Sequence, residues 1–263
     1  DTNAERRAEA SRIGVELATD VGDIPRSCRR VLLSLPTSDI ATSVVDTLLP
    51  SLRPGDTIID TTTGSPGDMI RLGDQLASSR VAYLDATIAA SSSQVSRGEA
   101  LVLVGGDMAT LENARDVLTT FAAEVIHVGP CGAGAKAKLV HNLVLGLNRA
   151  VLAEGLALAR TLGLDLETML TMLRSSPAVS RVVEIKGPRM IQGRFEPEAR
   201  VAQHLKDVRL ILETAETSGG RVPLSREHAR LLAEAVAAGW GELDNSAIFR
   251  VFEVAEKDSV RDQ

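Results

Sequence analysis

The chain has 263 residues, of which 44% are hydrophobic and 24% are charged, enough apolar sequence for one large domain or two smaller ones. Its 29 Lys and Arg residues and 35 Asp and Glu residues leave a net charge of −6, which argues against a protein that binds nucleic acid by neutralising phosphates. The two cysteines, Cys28 and Cys131, are too few for a disulfide framework. Charged residues interrupt every apolar stretch of about 18 residues, the length of a membrane span, and no signal peptide is recognisable. We therefore expect a soluble, cytoplasmic protein.

The first half of the sequence alternates short apolar runs with segments of helical periodicity. Ser65-Pro66, with Asp68 three residues after the serine, is typical of a helix start with a serine cap. Strands that alternate with helices indicate a mainly parallel sheet covered on both faces. The runs predict five strands, over residues 31–35, 57–60, 81–84, 101–104 and 125–128.

The second half changes to helical spacing. From residue 134 to 163 apolar residues recur at intervals of three and four without a proline, and Gly163 is a suitable stop. Strand signals nearly disappear after Val128, so we place a boundary at Gly129-Pro130. The sequence thus predicts an α/β domain over residues 1–129 and an all-helical domain over residues 130–263. Further helices are predicted over residues 166–173, 205–217 and 226–238.

A glycine-rich turn (residues 132–134) leads into the long predicted helix at this boundary. Lys138 and Asn142 are four residues apart and share one helix face, whereas Lys136 points elsewhere. Ligand pockets favour domain junctions, and burial there would lower the pKa of Lys138 into a range useful for acid–base chemistry. The alternative is an exposed helix lysine that follows a turn whose glycines only let the chain bend.

Other stretches occur in a fixed order along the chain: Asp60–Thr63, Asp85–Gly98, Gly187-Pro188-Arg189-Met190, Lys206-Asp207 and Asp244-Asn245-Ser246-Ala247. With the glycine-rich turn, Lys138 and Asn142, they resemble the β-hydroxyacid dehydrogenase family, which includes 3-hydroxyisobutyrate dehydrogenase and tartronate semialdehyde reductase. The resemblance runs from Asp1 to about Phe252. It implies an α/β Rossmann-type dinucleotide-binding domain followed by an all-α domain built on a long interdomain helix, which would serve substrate binding and oligomerisation. The first βα unit is absent from residues 1–263, and we expect its glycine-rich phosphate-binding turn upstream of Asp1.

The resemblance also implies residues that hold the cofactor. At the strand ends, Leu35, Pro36 and Thr63 would contact it, and Lys206 would hold the nicotinamide ribose or the substrate. Asp1 would accept hydrogen bonds from the adenine ribose; the alternative is a frayed terminal residue. Because Asp1-Thr2 offers no arginine for a 2′-phosphate, we expect NAD, with NADP the less favoured cofactor.

On the substrate side, the resemblance makes Lys138 the catalytic acid/base and Asn142 a substrate-orienting residue. The family's substrate loop reads Asp-x-x-x-Ser-Gly-Gly, but Asp85 is followed by Ala89-Ala90-Ser91. Ala89 lacks the hydroxyl, and Ala90 adds a methyl where the backbone should approach closely. A hydrogen bond to a charged group contributes about 1.5–3 kcal/mol, so carboxylate binding should weaken unless Ser91 substitutes.

We therefore expect an NAD-dependent oxidoreductase that transfers a hydride between nicotinamide and a small β-hydroxyacid or its semialdehyde, as a homodimer or homotetramer. One alternative is a reductase of an uncharged carbonyl or imine on the same fold, although imine-reducing relatives replace the lysine at the position of Lys138. The other is a non-catalytic, dehydrogenase-like binding or dimerisation protein. We expect no metal site, because His127, His141 and His204 lack ligands at metal-binding spacing and are better explained as core or boundary histidines.

Overall fold

The computed structural model describes residues 1–253, which form two compact units. One unit comprises residues 1–90 and 95–137, and the other comprises residues 91–94 together with residues 138–253. The first contains the sheet and the second is helical, so the predicted fold class is confirmed.

The sheet has five strands in the order β1-β2-β3-β4-β5. The first three strands pair in parallel, as do β4 and β5, but β3 and β4 pair antiparallel. A parallel crossover needs about a dozen residues or more, and the connection over residues 90–99 is shorter than that. The bounds are Arg30–Leu33 (β1), Thr57–Asp60 (β2), Ala82–Ala89 (β3), Ala100–Gly105 (β4) and Ala122–Gly129 (β5).

Helices cover both faces of this sheet. Successive strand residues point to opposite faces, and Ile58 and Ile59 are both fully buried. Ile58 packs in one apolar cluster with Val45 and Leu72, and Ile59 packs in another with Leu111. The helices of this part of the chain are Ala4–Arg12 (α1), Ile24–Ser27 (α2), Ser38–Leu48 (α3), Pro66–Ser78 (α4), Ser92–Ser96 (α5) and Met108–Leu118 (α6).

The start of α4 differs from the prediction in one respect. The helix begins at Pro66 as expected, but the Ser65 side chain makes no capping hydrogen bond. Ser38 of α3 instead bridges the cap: its hydroxyl donates to Asp68 Oδ2 at 2.5 Å and accepts from the Ser65 backbone N–H at 3.3 Å. The predicted cap position is therefore confirmed, and only the hydrogen bond expected from the Ser65 side chain is absent.

The helical unit is built around a helix over Ala133–Thr161 (α7), close to the predicted range. Gly163 adopts φ +72°, and the Leu164 N–H donates to the Ala159 carbonyl at 2.9 Å, which confirms the predicted stop. The core of the helical unit includes Leu156, Leu170, Leu232 and Phe249, each 1% exposed or less. The later α-helices in the described residues are Leu166–Arg174 (α8), Arg181–Ile191 (α9), Val201–Thr217 (α10), Pro223–Ala235 (α11) and Phe249–Phe252 (α12), with a π-helical turn at Val236–Trp240 and a 3-10 helix at Asn245–Ile248.

By length and composition alone, α7 is apolar enough to cross a membrane. The core helix of a soluble protein passes the same test, and half of the most apolar 18-residue window of α7 is buried inside the protein. The absence of a membrane span therefore stays a prediction.

Candidate active site

The carboxylate of Asp85, on β3, holds the N-terminus of α7. Asp85 Oδ1 accepts the Gly132 N–H at 2.9 Å, and Oδ2 accepts the Ala135 N–H at 2.8 Å. Both donors belong to the unsatisfied N–H groups at a helix start, which also favour a negative charge. Burial raises the pKa of Asp85, and these backbone donors oppose that rise.

The glycines of the preceding turn are required by this geometry. Gly132 adopts φ +86°, a conformation that side chains disfavour. At Gly134 a Cβ would lie 2.2 Å from the Asp85 carbonyl oxygen, so only glycine lets the helix start approach β3 this closely. The turn therefore fixes where α7 begins and which face of the helix Lys138 occupies.

Lys138 is buried, with 8% of its surface exposed, whereas Lys136 is exposed. The alternative of an exposed lysine at position 138 is therefore wrong. Desolvation lowers the pKa of Lys138 to about 8, and the negative charge of Asp207 acts against that lowering. An amine with such a pKa can take up or release a proton close to neutral pH.

Asp207 of α10 links the other residues of this group. The Asn142 side-chain amide donates to Asp207 Oδ2 at 3.2 Å, and Lys206 Nζ lies 3.8 Å from Asp207 Oδ1. Burial raises the pKa of Asp207, while Lys206 and Lys138 lower it. The helical unit thus brings Lys138, Asn142 and Lys206 around one partly buried carboxylate. Asp207 is named from the sequence only as part of a Lys-Asp pair and is given no role there.

The predicted cofactor residues of the sheet unit lie at one edge of the sheet. Because β1 and β2 are parallel neighbours, their carboxyl ends meet at the same edge, which brings Leu35, Pro36 and Thr63 there. The Leu35 N–H donates to Thr62 Oγ1 at 3.2 Å and joins the two strand ends. Dinucleotides bind at this edge of open α/β sheets, so the chain offers a suitable place for one.

Asp1 is exposed and precedes α1. One of its carboxylate oxygens, Oδ1, accepts the Asn3 N–H at 2.8 Å. This hydrogen bond is local to the start of the chain. The contact of Asp1 with the adenine ribose therefore stays a prediction.

The substrate loop predicted after Asp85 is largely regular structure, so the loop interpretation is wrong there. β3 continues through Ala89, which pairs with Leu101 of β4, and α5 begins three residues later. Ala90 lies between them. The antiparallel partner strand extends β3 beyond the apolar run by which its end was predicted.

The Ser91 hydroxyl is engaged locally. Its oxygen lies 3.0 Å from Gln94 Oε1, and the Ser91 backbone N–H donates to the same oxygen at 2.9 Å. A substrate carboxylate would have to compete with the Gln94 side chain for these donors.

The remaining candidates have mostly structural surroundings. His127 Nε2 lies 2.8 Å from the Gly106 carbonyl oxygen, and His141 Nδ1 lies 3.2 Å from Asn142 Oδ1. Burial raises the pKa of the Cys131 thiol to about 12, so a reactive thiolate is disfavoured. His204 differs, because its buried Nε2 has no hydrogen-bond partner in residues 1–253. Among the same residues, no three His, Cys, Asp or Glu side chains cluster as metal ligands would.

Family models match both halves of the chain. Residues 1–129 match the NAD binding domain of 6-phosphogluconate dehydrogenase. Residues 132–252 match a domain described as NAD-binding of NADP-dependent 3-hydroxyisobutyrate dehydrogenase.

Similar proteins include several dehydrogenases of hydroxyacids. The chain is 30% identical over 203 residues to L-threonate dehydrogenase of Cupriavidus necator, covering 77% of this chain and 68% of that protein. It is 30% identical over 227 residues to 2-(hydroxymethyl)glutarate dehydrogenase of Eubacterium barkeri, covering 85% and 75%. The solved structure of 3-hydroxyisobutyrate dehydrogenase from Mycobacterium tuberculosis with L-serine superposes with a TM-score of 0.90 at 26% identity, covering 97% of this chain and 89% of that one.

Proposed function

The chain belongs to the β-hydroxyacid dehydrogenase family, and from that premise we propose that it transfers a hydride between NAD and a small β-hydroxyacid or its semialdehyde, with Lys138 as general acid/base. Family membership makes it an oxidoreductase with a nicotinamide dinucleotide cofactor. The observation that carries the proposal is the buried Lys138 amine, whose pKa of about 8 suits proton exchange at neutral pH.

Lys138 is the general acid/base of the proposed reaction. In oxidation its neutral amine takes the proton of the substrate hydroxyl, and the nicotinamide, when bound, supplies the acceptor for the hydride. In reduction the protonated amine donates to the developing alkoxide, where a positive charge in a desolvated site is most stabilising. Asn142, whose amide is fixed by Asp207, orients the substrate oxygen or carboxylate.

The residues proposed to hold the cofactor are Leu35, Pro36 and Thr63 at the sheet edge, Lys206 on α10, and Asp1. Backbone and hydroxyl groups at the ends of β1 and β2 suit ribose and amide groups. Asp1 is followed by Thr2, which cannot pair with a 2′-phosphate as an arginine would. NAD is therefore proposed over NADP.

The proposal is tested with Lys138→Ala, and Lys136→Ala provides a matched control because it removes an exposed lysine from the same helix. Loss of a general acid/base lowers turnover by about 10²–10⁴-fold, so Lys138→Ala should lose turnover while NAD(H) binding, measured by titration calorimetry, stays near that of the parent protein. Lys136→Ala should keep both. Retained turnover in Lys138→Ala, or tight binding of NADP(H) and weak binding of NAD(H), would contradict the corresponding part of the proposal.

A second candidate function is reduction of an uncharged carbonyl. It is favoured by Ala89 and Ala90, which offer no hydroxyl, and by the engagement of Ser91 with Gln94. Comparing turnover of a semialdehyde acid with that of its amide separates the two functions, because a carboxylate-binding enzyme prefers the acid.

We further propose that the protein assembles as a homodimer or homotetramer. One face of α7 carries four exposed apolar side chains, Val140, Val144, Val151 and Leu158, and Leu162 follows directly after the helix; each of the five is between 52% and 69% exposed. The four on α7 follow at intervals of four and seven residues, a pattern that suits packing against a second helix. A cytoplasmic location is proposed from the sequence.

A further inference from the structure

A second group of buried polar side chains lies in the helical unit and has no role in the proton transfer. Arg149 of α7, His204 of α10 and His228 of α11 are 3%, 7% and 2% exposed. The two imidazole rings lie 5.1 Å apart between centroids. All three helices place a polar residue where the surrounding core is apolar.

These side chains are incompletely satisfied. Arg149 Nε and Nη1, His204 Nε2 and His228 Nε2 are buried, and none has a hydrogen-bond partner in the described part of the chain. A buried polar group without a partner is destabilising, and a buried charged group without one is more so. Such a cluster is typical of a site whose hydrogen bonds are completed by a ligand or by ordered water.

The charge of Arg149 is also poorly compensated. Asp244 is the carboxylate whose charge acts on it, but both Asp244 oxygens lie 3.0 Å from Lys186 Nζ, and Oδ1 accepts the Ser246 hydroxyl at 2.6 Å. Burial, followed by the positive charge of Arg149, lowers the pKa of both histidines, and the pKa of His228 falls to about 4. The rings are therefore neutral at pH 7, and each can donate one N–H.

The backbone leaves room for this group at Gly146. A Cβ on Gly146 would lie 2.5 Å from His204 Nε2 and 2.7 Å from His228 Cε1. Gly146 follows Asn142 by four residues on α7, and His204 precedes Asp207 by three on α10, so Gly146 and His204 each lie one helical turn from the Asn142–Asp207 pair, while Gly146 lies two turns from Lys138. The charge of Lys138 also acts on His204.

We propose that Arg149, His204 and His228 form a buried carboxylate-binding site, and that it takes the carboxylate of the substrate whose oxygen meets Lys138. A guanidinium and neutral imidazole N–H groups are donors suited to an acceptor-only, planar anion. This site would supply the carboxylate recognition for which Ala89 and Ala90 lack a hydroxyl. The identity of the carboxylate as substrate rests on the proposed function; the binding site itself does not.

The kinetic test uses Arg149→Met, which keeps the volume and removes the charge. Arg209→Met is the matched control, because Arg209 is exposed on α10. With 3-hydroxyisobutyrate as substrate, Arg149→Met should raise KM at least tenfold, leave KM for 3-hydroxyisobutyramide unchanged and leave NAD(H) affinity unchanged. Equal effects on acid and amide would show a merely structural role and overturn the proposal, as would a KM equal to that of Arg209→Met.

A binding test without turnover separates the site from the reaction. Isobutyrate, with isobutyramide and sodium chloride as controls, is titrated into the parent protein and both variants by calorimetry. Isobutyrate should bind to the parent protein and to Arg209→Met, and at least tenfold more weakly to Arg149→Met. If that holds while no hydroxyacid is oxidised, the proposed function fails and the site stands.

Equal isobutyrate binding by all three proteins, or a response to chloride alone, overturns the carboxylate site. Should Arg149→Met fail to fold, His228→Leu replaces it in both tests, with the same expected results.

Discussion

The proton affinity of Lys138 is set by two neighbouring influences of opposite sign. Removal from water disfavours the charged ammonium and lowers its pKa, while the Asp207 carboxylate stabilises that charge. The balance leaves the pKa at about 8, so both protonation states are populated near neutral pH. One lysine can therefore act as base in oxidation and as acid in reduction.

The pH dependence follows from these signs. Oxidation needs the neutral amine, so its kcat/KM should rise with pH through about 8, and that of reduction should fall over the same range. Asp207→Asn removes the charge that raises the pKa of Lys138, so both midpoints should move to lower pH.

The measurement is kcat/KM in both directions from pH 6 to pH 10. Glu216→Gln, an exposed position on α10, serves as control and should leave both midpoints in place. Unchanged midpoints in Asp207→Asn would contradict the claim that the Asp207 charge raises the pKa of Lys138.

Part of this site was predictable from local spacing and part was not. Lys138 and Asn142 share a helix face because they are four residues apart, which the sequence shows directly. The Asn142–Asp207 hydrogen bond joins residues separated by 65 positions, and the Asp85 hydrogen bonds to the α7 start span 47 and 50. Such contacts depend on how the elements pack, and one sequence carries no local signal for them.

The same distinction holds for whole elements. The periodicity of α7 and the apolar runs of the strands predicted their positions to within a few residues. α9 is not among the predicted helices, and Gly187 and Pro188, two residues of low helix propensity, both lie inside it. A Cβ at Gly187 would lie 2.5 Å from Leu170 Cδ2, so the glycine serves helix packing. Tertiary contact here outweighs local propensity.

A side chain at Gly134 should destabilise the protein at the start of α7. In Gly134→Ala the added methyl meets backbone atoms of β3, which cannot rotate away, and we expect the free energy of unfolding to fall by about 1–3 kcal/mol. Gly155 lies on the same helix, and a Cβ at that position would have no neighbouring atom within 4 Å. Gly155→Ala should therefore raise the free energy of unfolding by about 0.5–1 kcal/mol. Urea unfolding measures both, and equal effects would refute the close-approach argument.

At the scale of the whole molecule, the exposed apolar face of α7 is the feature that argues for assembly. A charge at its centre, Val151→Lys, should shift the mass measured by light scattering toward the monomer, because an ammonium would be desolvated between two apolar helices. Leu224→Lys changes an equally exposed apolar residue on α11 and should leave the mass unchanged. A monomeric parent protein, or a Val151→Lys variant with the parent mass, would refute assembly through this face.

The burial of Phe249 in the helical core has a consequence for the order in which the chain is made. The five strands are complete at Gly129, but the core of the helical unit still lacks Ala247, Ile248 and Phe249, each 1% exposed or less. At translation rates of about 5–20 residues per second, the ribosome needs roughly 6–24 s to synthesise that interval. During this time the apolar faces of α7 and α8 are not yet covered by these residues. We therefore expect chaperones to bind the nascent chain most strongly at this stage.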